Sequence, residues 1–560
     1  MPNRYGMKVI PSILIDFYKS GHLSMLPEGS TLMYSNFTPR SGHHFPVAEA
    51  KKVLWVGMQG ILKWLVIDTW NKGFFQRPVG EVIGEYKDIM DKALGPDLVS
   101  FKELTALHKL GYLPLHIKAL PEGSMVPFGV PVFTIRNTHP EFAFLGGYFE
   151  DMLSCETWPV MTVATLAYYF REMLEEFAAE TGVCSGFVDW QSHCFAFRGM
   201  RGIHDGTQSL TGHMYCSLGT DSIPVIPYLE EYYGAKDAFI GGSVPATEHA
   251  VMCMLISKEM NRMAKAGIAP TTYTELWREA ERNVFRWLIT EKHPTGIISI
   301  VSDTKNLWDV LDDILPSLKA EILGRGVNAL GLAKVVVRPD SGDPETILCG
   351  YTIVEVEDLK QASFSVKENQ VALAGGKYYL SIPSASTSWE YEEIREAQAL
   401  GAVRTLWKHF GGTVNEAGFK VLHERVGLIY GDSINFARGH AILARLKEMG
   451  FASNSTLFGR GSFGSVFNTR DSTGSAFKAT YGECDGVELE LYKDPITDDG
   501  TKRSAKGLLR VEREGDTFVL YDQQTWEQEA SGVLETVFLD GKLMRDESLA
   551  TIRARVGFIH

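Results

Sequence analysis

Residues 334–342 read KVVVRPDSG, and this stretch decides the fold. Its apolar run, stopped by Pro339 and Gly342, predicts a β-strand that is covered on both faces, as in a parallel α/β sheet. Arg338 and Asp340 follow the end of that strand, and parallel sheets bind ligands at the carboxyl ends of their strands. Both residues are therefore site candidates. The alternative is a solvated Arg–Asp pair on the surface.

The same pattern, an apolar segment that ends in small and polar residues and precedes helical sequence, recurs from about residue 185. Alternating strands and helices predict a parallel sheet, and this many repeats predict closure into a β/α barrel with the polar residues at one rim. The other segment ends carry Phe195 and Arg198, Asp221, Ser243 and His249, Asp303, and Gly431 and Asp432.

The predicted fold class is α/β, an irregular β/α barrel plus an α+β domain built from both chain ends. We assign residues 1–182 to the first part of the α+β domain, 183–465 to the barrel and 466–560 to the completion of the α+β domain. Residues 159–182 predict a connecting helix with Pro at its start and Gly at its end. Residues 350–425 predict an insertion with a hairpin that turns at 374–376. Beyond residue 470, short strands accompany Lys502, Arg503 and Lys506.

Composition limits the classes of function. The 560 residues are 45% hydrophobic and 22% charged, which is typical of a soluble globular protein with two or three domains. A net charge of -14 argues against nucleic-acid or anionic-membrane binding as the main task. Seven cysteines without a C-x-x-C pair indicate neither a disulfide framework nor a zinc ribbon. No signal peptide or membrane span is evident, so a cytoplasmic protein is predicted.

Two motifs mislead. GRGSFGSV at 459–466 matches a protein-kinase glycine loop, and Lys478 follows like the strand lysine of kinases. No H-R-D or D-F-G follows, so a kinase is excluded, whereas a phosphate-binding turn at Gly461 and Ser462 remains. LDDI at 311–314 has the paired acids of a phosphoribosyltransferase loop without the Gly/Thr-rich turn, and its surroundings predict an amphipathic helix with solvated acids.

Taken together, the segments resemble the nicotinamide phosphoribosyltransferase family of type II phosphoribosyltransferases. They occur in family order over most of the chain, although 350–425 is longer and GRGSFG less glycine-rich than in the family. The matching segments are DFYKSGH (16–22), CFAFRG (194–199), LGTDS (218–222), GSVPATEH (242–249), SIVSD (299–303), VVRPDSG (336–342), YGDSIN (430–435), FGRGSFGSVFNTRD (458–471) and SAFKA (475–479).

The resemblance implies that nicotinamide stacks between Phe195 and Tyr18, with Tyr18 supplied by the second subunit of a homodimer. By itself, Tyr18 is also compatible with a position at the edge of the core. Arg338 is implied to donate to the amide oxygen and Asp221 to accept from the amide nitrogen, with Ser243 nearby. A carboxylate at Asp221 favours an amide and repels the carboxylate of nicotinate.

The resemblance also implies partners for phosphoribosyl pyrophosphate and ATP. On general grounds His249 is a structural histidine. The resemblance implies instead that ATP phosphorylates it, because ATP phosphorylates the corresponding histidine in such enzymes. Mg²⁺ with the pyrophosphate is implied near Asp303, directly or through water. The catalytic set is thus His249, Asp303, Arg338 and Asp340. Further implied contacts are Asp340, Asp432 and Gly431 with the ribose, Gly461, Ser462 and Arg470 with a phosphate, and Arg198, Ser475 and Lys478 with anionic oxygens, some across the dimer interface.

The implied reaction transfers the 5-phosphoribosyl group from phosphoribosyl pyrophosphate to nicotinamide in NAD salvage, with coupling to ATP hydrolysis through phosphorylated His249. Two alternatives stand beside it. A nicotinate phosphoribosyltransferase is disfavoured because Asp221 has the wrong charge. A non-catalytic nucleotide-binding relative or signalling ligand is disfavoured because Arg338, Asp340, Asp432 and His249 are all present.

Overall fold

The computed structural model describes residues 10–367, 369–383, 389–493 and 504–559, so Lys502 and Arg503 lie outside the described residues. Within these ranges, no helix combines the length and the apolar character that crossing a membrane requires. The strands are β1 (Ser30–Pro39), β2 (Lys52–Trp55), β3 (Leu115–Ala119), β4 (Ser124–Pro127), β5 (Phe133–Asn137), β6 (Ser192–Cys194), β7 (Gly219–Thr220), β8 (Gly296–Val301), β9 (Ala333–Arg338), β10 (Thr352–Glu355), β11 (Gln370–Ala374), β12 (Lys377–Pro383), β13 (Trp389–Ile394), β14 (Gly412–Val414), β15 (Lys420–Leu422), β16 (Val426–Tyr430), β17 (Leu457–Arg460), β18 (Ser475–Cys484), β19 (Val487–Glu490), β20 (Leu508–Glu514), β21 (Thr517–Gln524), β22 (Glu535–Leu539) and β23 (Lys542–Leu543).

The α-helices connect and cover these strands. They are α1 (Phe17–Met25), α2 (Met58–Ile61), α3 (Val79–Leu94), α4 (Lys102–Leu110), α5 (Leu145–Tyr148), α6 (Glu150–Thr181), α7 (Ser185–Gln191), α8 (Ile203–Gln208), α9 (Thr211–Met214), α10 (Val225–Tyr232), α11 (His249–Lys265), α12 (Tyr273–Trp287), α13 (Leu307–Asp309), α14 (Leu315–Ser317), α15 (Lys319–Leu323), α16 (Pro344–Cys349), α17 (Leu359–Ser365), α18 (Glu396–Phe410), α19 (Phe436–Glu448), α20 (Ser462–Ser465), α21 (Trp526–Ser531) and α22 (Leu549–Val556).

One antiparallel sheet joins the two ends of the chain, in the order β19-β18-β1-β5-β3-β22-β23. The long strands β1 and β18 pair along most of their length. In the core beneath them, Phe37 stacks on Phe133 with ring centroids 5.3 Å apart, and Phe477 from the C-terminal part packs edge-on against Phe133. The sheet confirms that both chain ends build one α+β unit.

The second large sheet is parallel, in the order β7-β6-β17-β16-β9-β8, and it is curled. Residues 242–247 lie between its two edge strands: Gly242 bridges to Gly219 of β7, and Ala246 bridges to Ser299 of β8. The outward-facing side chains of its strands form one core with the surrounding helices. The predicted irregular β/α barrel is therefore confirmed, with an extended segment that completes the ring.

The insertion carries its own four-stranded sheet, in the order β10-β11-β12-β13. Ala374 of β11 pairs with Lys377 of β12, so Gly375 and Gly376 form a two-residue turn. Both glycines have positive φ (56° and 80°), which residues with a side chain rarely adopt and this hairpin turn requires. The predicted hairpin is confirmed.

Helix α6 differs from its prediction at the start. It begins at Glu150, nine residues before the expected Pro159, which lies buried inside the helix. Proline removes one helical hydrogen bond, but burial of most of the surrounding residues, Val160 and Met161 among them, holds the helix together across it. The predicted end is confirmed, since Gly182 adopts the left-handed conformation with φ 69°.

Two helical segments of the barrel form as their local sequence favours. Thr272 caps α12, because its side chain accepts a hydrogen bond from the backbone N–H of Glu275. The acids of LDDI lie on a helical segment, where Asp312 contacts His409 and Asp313 contacts Arg282. Both acids are partly exposed, as expected for a solvated face.

Candidate functional site

The predicted barrel residues lie together at the carboxyl ends of the parallel strands. This edge of the barrel is called the rim below. Its members come from seven successive segments of the ring, and their assembly follows from the parallel topology, which brings all strand ends to one side. They are Phe195 after β6, Asp221 after β7, Ser243 within and His249 just after the bridging segment 242–247, Asp303 after β8, Arg338 and Asp340 at the end of β9, Gly431 and Asp432 after β16, and Gly461 and Ser462 after β17.

Phe195 forms a flat surface at the centre of the rim. Its backbone N–H donates to the carbonyl of Arg460 at 2.8 Å, which extends the pairing of β6 with β17. A Cβ atom added at Gly459 would lie 2.2 Å from Phe195 Cε2, and one added at Gly431 would lie 3.1 Å from the same atom and 3.2 Å from Asp340 Oδ1. The two glycines therefore make room for the ring, and Asp340 lies beside it.

Asp221 presents an ionised carboxylate at the rim. His193 Nε2 lies 3.0 Å from Asp221 Oδ1, and the Ser243 hydroxyl donates to the same oxygen. Burial alone raises the pKa of Asp221, but these hydrogen bonds and the charges of His193 and Arg338 together lower it below its ordinary value. Arg338 is thus close enough to act on Asp221, and the pair offers one acceptor and one donor.

His249 and Asp303 form a second hydrogen-bonded pair. His249 Nε2 lies 3.1 Å from Asp303 Oδ1, and Asp303 Oδ2 accepts from the backbone N–H of Asp340 at 2.9 Å and from the Ser341 hydroxyl at 2.6 Å. The side chain of Asp303 is only 6% exposed, whereas that of His249 is 47% exposed. A buried, fully bonded carboxylate thus orients an accessible imidazole, which stands at the first residue of α11.

The rim carries a concentration of negative charge around Tyr430. Burial raises the pKa of this buried phenol, and the charges of nearby acids raise it further, so that it stays protonated and donates to the carbonyl of Gly342 at 2.8 Å. Such a surface suits a ligand on which positive charge develops. The four acids are Asp432, Asp343, Asp303 and Asp340.

The predicted phosphate turn lies beside the Phe195 loop. After β17, Gly461 precedes the short helix α20, and Val466 N–H closes this turn on the carbonyl of Ser462 at 2.7 Å. A Cβ added at Gly199 would lie 2.2 Å from Ser462 Oγ, so the two loops are in close contact. Arg198, next to Gly199, is exposed there.

The remaining predicted residues belong to the α+β unit rather than to the rim. Ser475 and Lys478 lie on β18, and Arg470 lies in the turn before it. Burial lowers the pKa of Lys478. The negative charge of Glu150 opposes this shift, and the positive charges of Arg40 and Arg470 add to it, so Lys478 lies near both signs of charge. Tyr18 lies on α1 with 58% of its surface exposed, and its ring packs against His22 and Lys19 of the same helix.

Comparison with known proteins identifies the family of the chain. The sequence pattern of the nicotinate phosphoribosyltransferase (NAPRTase) family matches residues 190–542. The chain belongs to this family. It is 44% identical over 557 residues to the nicotinamide phosphoribosyltransferase of Acinetobacter baylyi, with 98% of each chain covered, and 28% identical over 525 residues to that of Mycoplasma pneumoniae, with 88% of this chain and 93% of the relative covered.

A solved structure supports the NAPRTase-family fold. The nicotinate-nucleotide pyrophosphorylase from Pyrococcus furiosus covers 99% of this chain and 96% of its own, with a TM-score of 0.50 and 12% sequence identity. At that identity the likeness concerns the fold alone.

Three residues that the sequence did not point to lie beside the predicted site residues. His193 contacts both Asp221 and Phe195, Ser341 holds Asp303, and Arg40 joins the cations around Lys478. Ser341 stood inside the quoted stretch 334–342, and His193 directly precedes the matching segment 194–199. Arg40 carried no signal, because its neighbourhood depends on pairing between β1 and β18, far apart in sequence.

The acids and the histidine of the rim do not form a complete metal site. Among the described residues, no group of three or more His, Cys, Asp or Glu side chains is placed to hold an ion. Both oxygens of Asp303 already accept hydrogen bonds from protein groups. A tightly held Mg²⁺ with protein ligands alone does not fit these residues.

Proposed function

We propose that this protein transfers the 5-phosphoribosyl group from phosphoribosyl pyrophosphate to nicotinamide, giving nicotinamide mononucleotide and pyrophosphate for NAD salvage. The observation that carries the proposal is the ionised Asp221, which feels the charge of Arg338 and bonds to His193, whose ring in turn packs against Phe195. A pyridine amide needs one acceptor for its N–H, one donor for its oxygen and a stacking surface for its ring. The curated relatives named above carry the same activity in their names.

The charge of Asp221 argues for the amide over the acid. Nicotinate would bring a second carboxylate toward an oxygen that already carries negative charge, and like charges in a partly desolvated site repel. Nicotinamide instead donates an N–H to that oxygen. A site built to pair a polar substrate group rejects the analogue that lacks it, because its own buried groups are left unpaired.

The mechanism needs no general base. Pyrophosphate leaves the anomeric carbon, positive charge develops on the ribose, and the neutral ring nitrogen of nicotinamide attacks from the opposite face. Asp340 and Asp432 belong to the acidic group around Tyr430 and would stabilise that charge, while Phe195 fixes the direction of the ring. Arg198 and the turn at Gly461 and Ser462 would hold anionic oxygens.

Mg²⁺ belongs to this proposal as a companion of the pyrophosphate rather than as a resident ion. Mg²⁺ keeps several waters and binds through one or two carboxylates together with substrate phosphates. We assign Asp303 and Asp340 to contacts with such a hydrated ion. When bound, the ion neutralises the leaving group.

His249 is proposed as the residue that ATP phosphorylates. With Nε2 bonded to Asp303, the other ring nitrogen is left as the nucleophile, and the imidazole is exposed. A phosphate placed at the start of the 17-residue helix α11 is favoured by the helix dipole. The added charge would then favour Mg²⁺ and the adjacent pyrophosphate.

A homodimer completes the proposed site. Tyr18 lies on α1, and the cations Arg40, Arg470 and Lys478 lie on or beside β1 and β18, rather than at the strand ends of the barrel. A second copy that places its α+β unit over the rim would supply the second stacking ring and the counter-charges for phosphate.

The unpaired state of all seven cysteines supports a cytoplasmic location for the reaction.

The test is a product assay with phosphoribosyl pyrophosphate, Mg²⁺ and either nicotinamide or nicotinate, with and without ATP. Mononucleotide is expected from nicotinamide, and product from nicotinate alone would refute the amide assignment. Asp221→Asn should lower the nicotinamide-to-nicotinate ratio of kcat/KM at least tenfold, about 1.4 kcal/mol. Asp88→Asn, an exposed acid on α3 that pairs with Lys92, is the matched control and should leave the ratio unchanged.

A further inference from the structure

His193 is a buried histidine that lies between the two residues on which the proposed recognition depends. We propose that His193 is a positioning residue that fixes the orientation and charge of Asp221 and thereby sets the preference of the site for an amide over an acid. The inference rests on the proposed function. It adds a residue for which neither the sequence motifs nor the reaction chemistry had assigned a role.

The register of two short strands places His193. It lies on β6 directly opposite Gly219 of β7, and Cys194 lies opposite Thr220. Because side chains alternate along a strand, His193 and Phe195 share one face of β6, and Asp221 continues the same face from β7. The His193 and Phe195 rings meet at 5.1 Å between centroids with 60° between their planes.

The ring is held in place by lack of space. His193 is only 7% exposed, and a Cβ added at Gly219 would lie 2.7 Å from its Nδ1 atom. The backbone of Gly219 does not have positive φ, so glycine is required there to make room for the imidazole rather than for its conformational freedom. A ring confined on this side and by Phe195 has one orientation, and that orientation directs Nε2 at Asp221.

The hydrogen-bond pattern explains the effect on the ligand. Both His193 Nε2, in the tautomer that carries its proton there, and the Ser243 hydroxyl donate to Oδ1 of Asp221. None of the described residues donates to Oδ2. Two donors on one oxygen fix the rotation of the carboxylate and leave Oδ2 as the acceptor for the amide N–H of nicotinamide. Without His193, Asp221 loses a charge-stabilising donor and its fixed direction.

Two variants separate a positioning role from a packing role. His193→Leu keeps a buried side chain of similar bulk but removes the donor, whereas His193→Gln retains an N–H close to the position of Nε2. The nicotinamide-to-nicotinate ratio of kcat/KM should fall at least tenfold in the Leu variant and less than threefold in the Gln variant, with the KM for phosphoribosyl pyrophosphate unchanged in both. His116→Leu is the matched control, since Nε2 of His116 bonds to Thr536 in the antiparallel sheet, and it should leave the ratio unchanged.

A double-mutant cycle tests whether His193 acts through Asp221. If it does, His193→Leu should cause no further fall in the ratio when Asp221 is already Asn, whereas independent residues would show additive effects. Should the Leu variant fail to fold by thermal melting, His193→Asn replaces it, because its shorter amide cannot reach the Nε2 position. Three outcomes would each overturn the proposal: the ratio falls equally in the Gln and donor-free variants, the ratio does not change, or the effects of the two substitutions in the cycle are additive.

The wild-type assay is examined first, so that the two failures are distinct. If the wild type forms no mononucleotide from nicotinamide, the proposed function itself fails. If the wild type prefers nicotinamide and the donor-free variant keeps the same preference, only the role of His193 fails.

Discussion

At the scale of single residues, the His249–Asp303 pair shows how one buried acid organises several groups. Asp303 accepts hydrogen bonds from His249, from the Asp340 backbone and from Ser341, so it links α11 to the end of β9. A change in the charge of His249 therefore acts directly on the segment that contains Asp340, a proposed ribose contact. This gives a physical route by which phosphorylation of His249 would alter substrate binding.

We expect His249→Gln to remove the increase in rate that ATP produces, because glutamine offers no nucleophilic ring nitrogen. Mononucleotide formation measured with and without ATP checks this, together with acid-labile phosphate in protein treated with labelled ATP. His440→Gln, an exposed histidine that packs on Phe177 of α6, is the control and should retain the ATP effect. Equal ATP stimulation of the His249 variant and the wild type would contradict the role.

At the scale of elements, strand spacing and helix burial set the properties of the barrel. Gly431 directly follows β16, and Gly459 lies within the neighbouring strand β17. Together they leave a gap that Phe195 fills. On the outside of the barrel, α12 buries Glu281 with 1% exposure, so its carboxyl group is largely removed from water. The gap that Phe195 fills serves the site, whereas the buried Glu281 destabilises the fold.

We expect Gly459→Ala to weaken nicotinamide binding at least tenfold, about 1.4 kcal/mol, because its Cβ would overlap Phe195 and push the ring from its position. Isothermal titration with nicotinamide measures the effect. Gly84→Ala on α3 has open space around the added atom and should leave binding unchanged while stabilising the helix by about 1 kcal/mol. Unaltered binding in the Gly459 variant would show that the ring can move without cost.

Glu281 predicts a dependence of stability on pH. Burial, with a further contribution from Asp309, raises the pKa of Glu281 to about 7. Between its unfolded value of about 4.3 and pH 7, the folded state holds a proton that the unfolded state has lost, so stability falls as pH rises through that window. Above pH 7 the full destabilisation, on the order of 3 kcal/mol, is present.

We therefore expect Glu281→Gln to raise Tm at pH 8 and to have little effect near pH 4.5. Thermal melts at both values test this. Glu291→Gln, at an exposed position after α12, is the control and should change Tm equally little at both. A Glu281 variant whose Tm shift is the same at pH 4.5 and pH 8 would exclude a titrating carboxylate as the cause.

At the scale of the whole molecule, the two sheets divide the proposed site. The barrel supplies the acidic rim and Phe195, whereas the α+β unit supplies Tyr18 and the cations around Lys478. Acidic and basic groups on separate units of one chain suit a two-fold dimer, in which each rim meets the α+β unit of the other copy. In the proposed dimer, catalysis would depend on assembly.

We expect Tyr18→Ala and Phe195→Ala, each inactive alone, to restore activity when co-expressed. In a mixed dimer one site combines Tyr18 and Phe195 from different chains, so random pairing leaves about a quarter of all sites intact. Phe195→Ala with Asp221→Asn is the control: both changes lie in the rim, so pairing cannot raise the activity above that of the two variants made separately. Purified mixed dimers without recovered activity would contradict the shared site.

Sequence patterns accounted for the strand ends and for much of the fold. The apolar runs before Arg338, Asp303 and Asp432 are encoded by adjacent residues, because an apolar strand stopped by polar residues specifies its own end. Parallel topology then collects such ends at one rim. The hairpin at Gly375 and Gly376 is local for the same reason, because the turn is encoded by adjacent residues.

Only the tertiary structure decided what depends on register between distant segments. The start of α6 before Pro159 follows from burial on both domains, which outweighs a local breaker. The contacts of His193 follow from its position opposite Gly219, and the place of Arg40 follows from the pairing of β1 with β18. The sequence by itself therefore determined which chemical groups this protein carries at its strand ends. The pairing of strands decided which of those groups act on one another, because packing energy is shared among residues far apart in the chain.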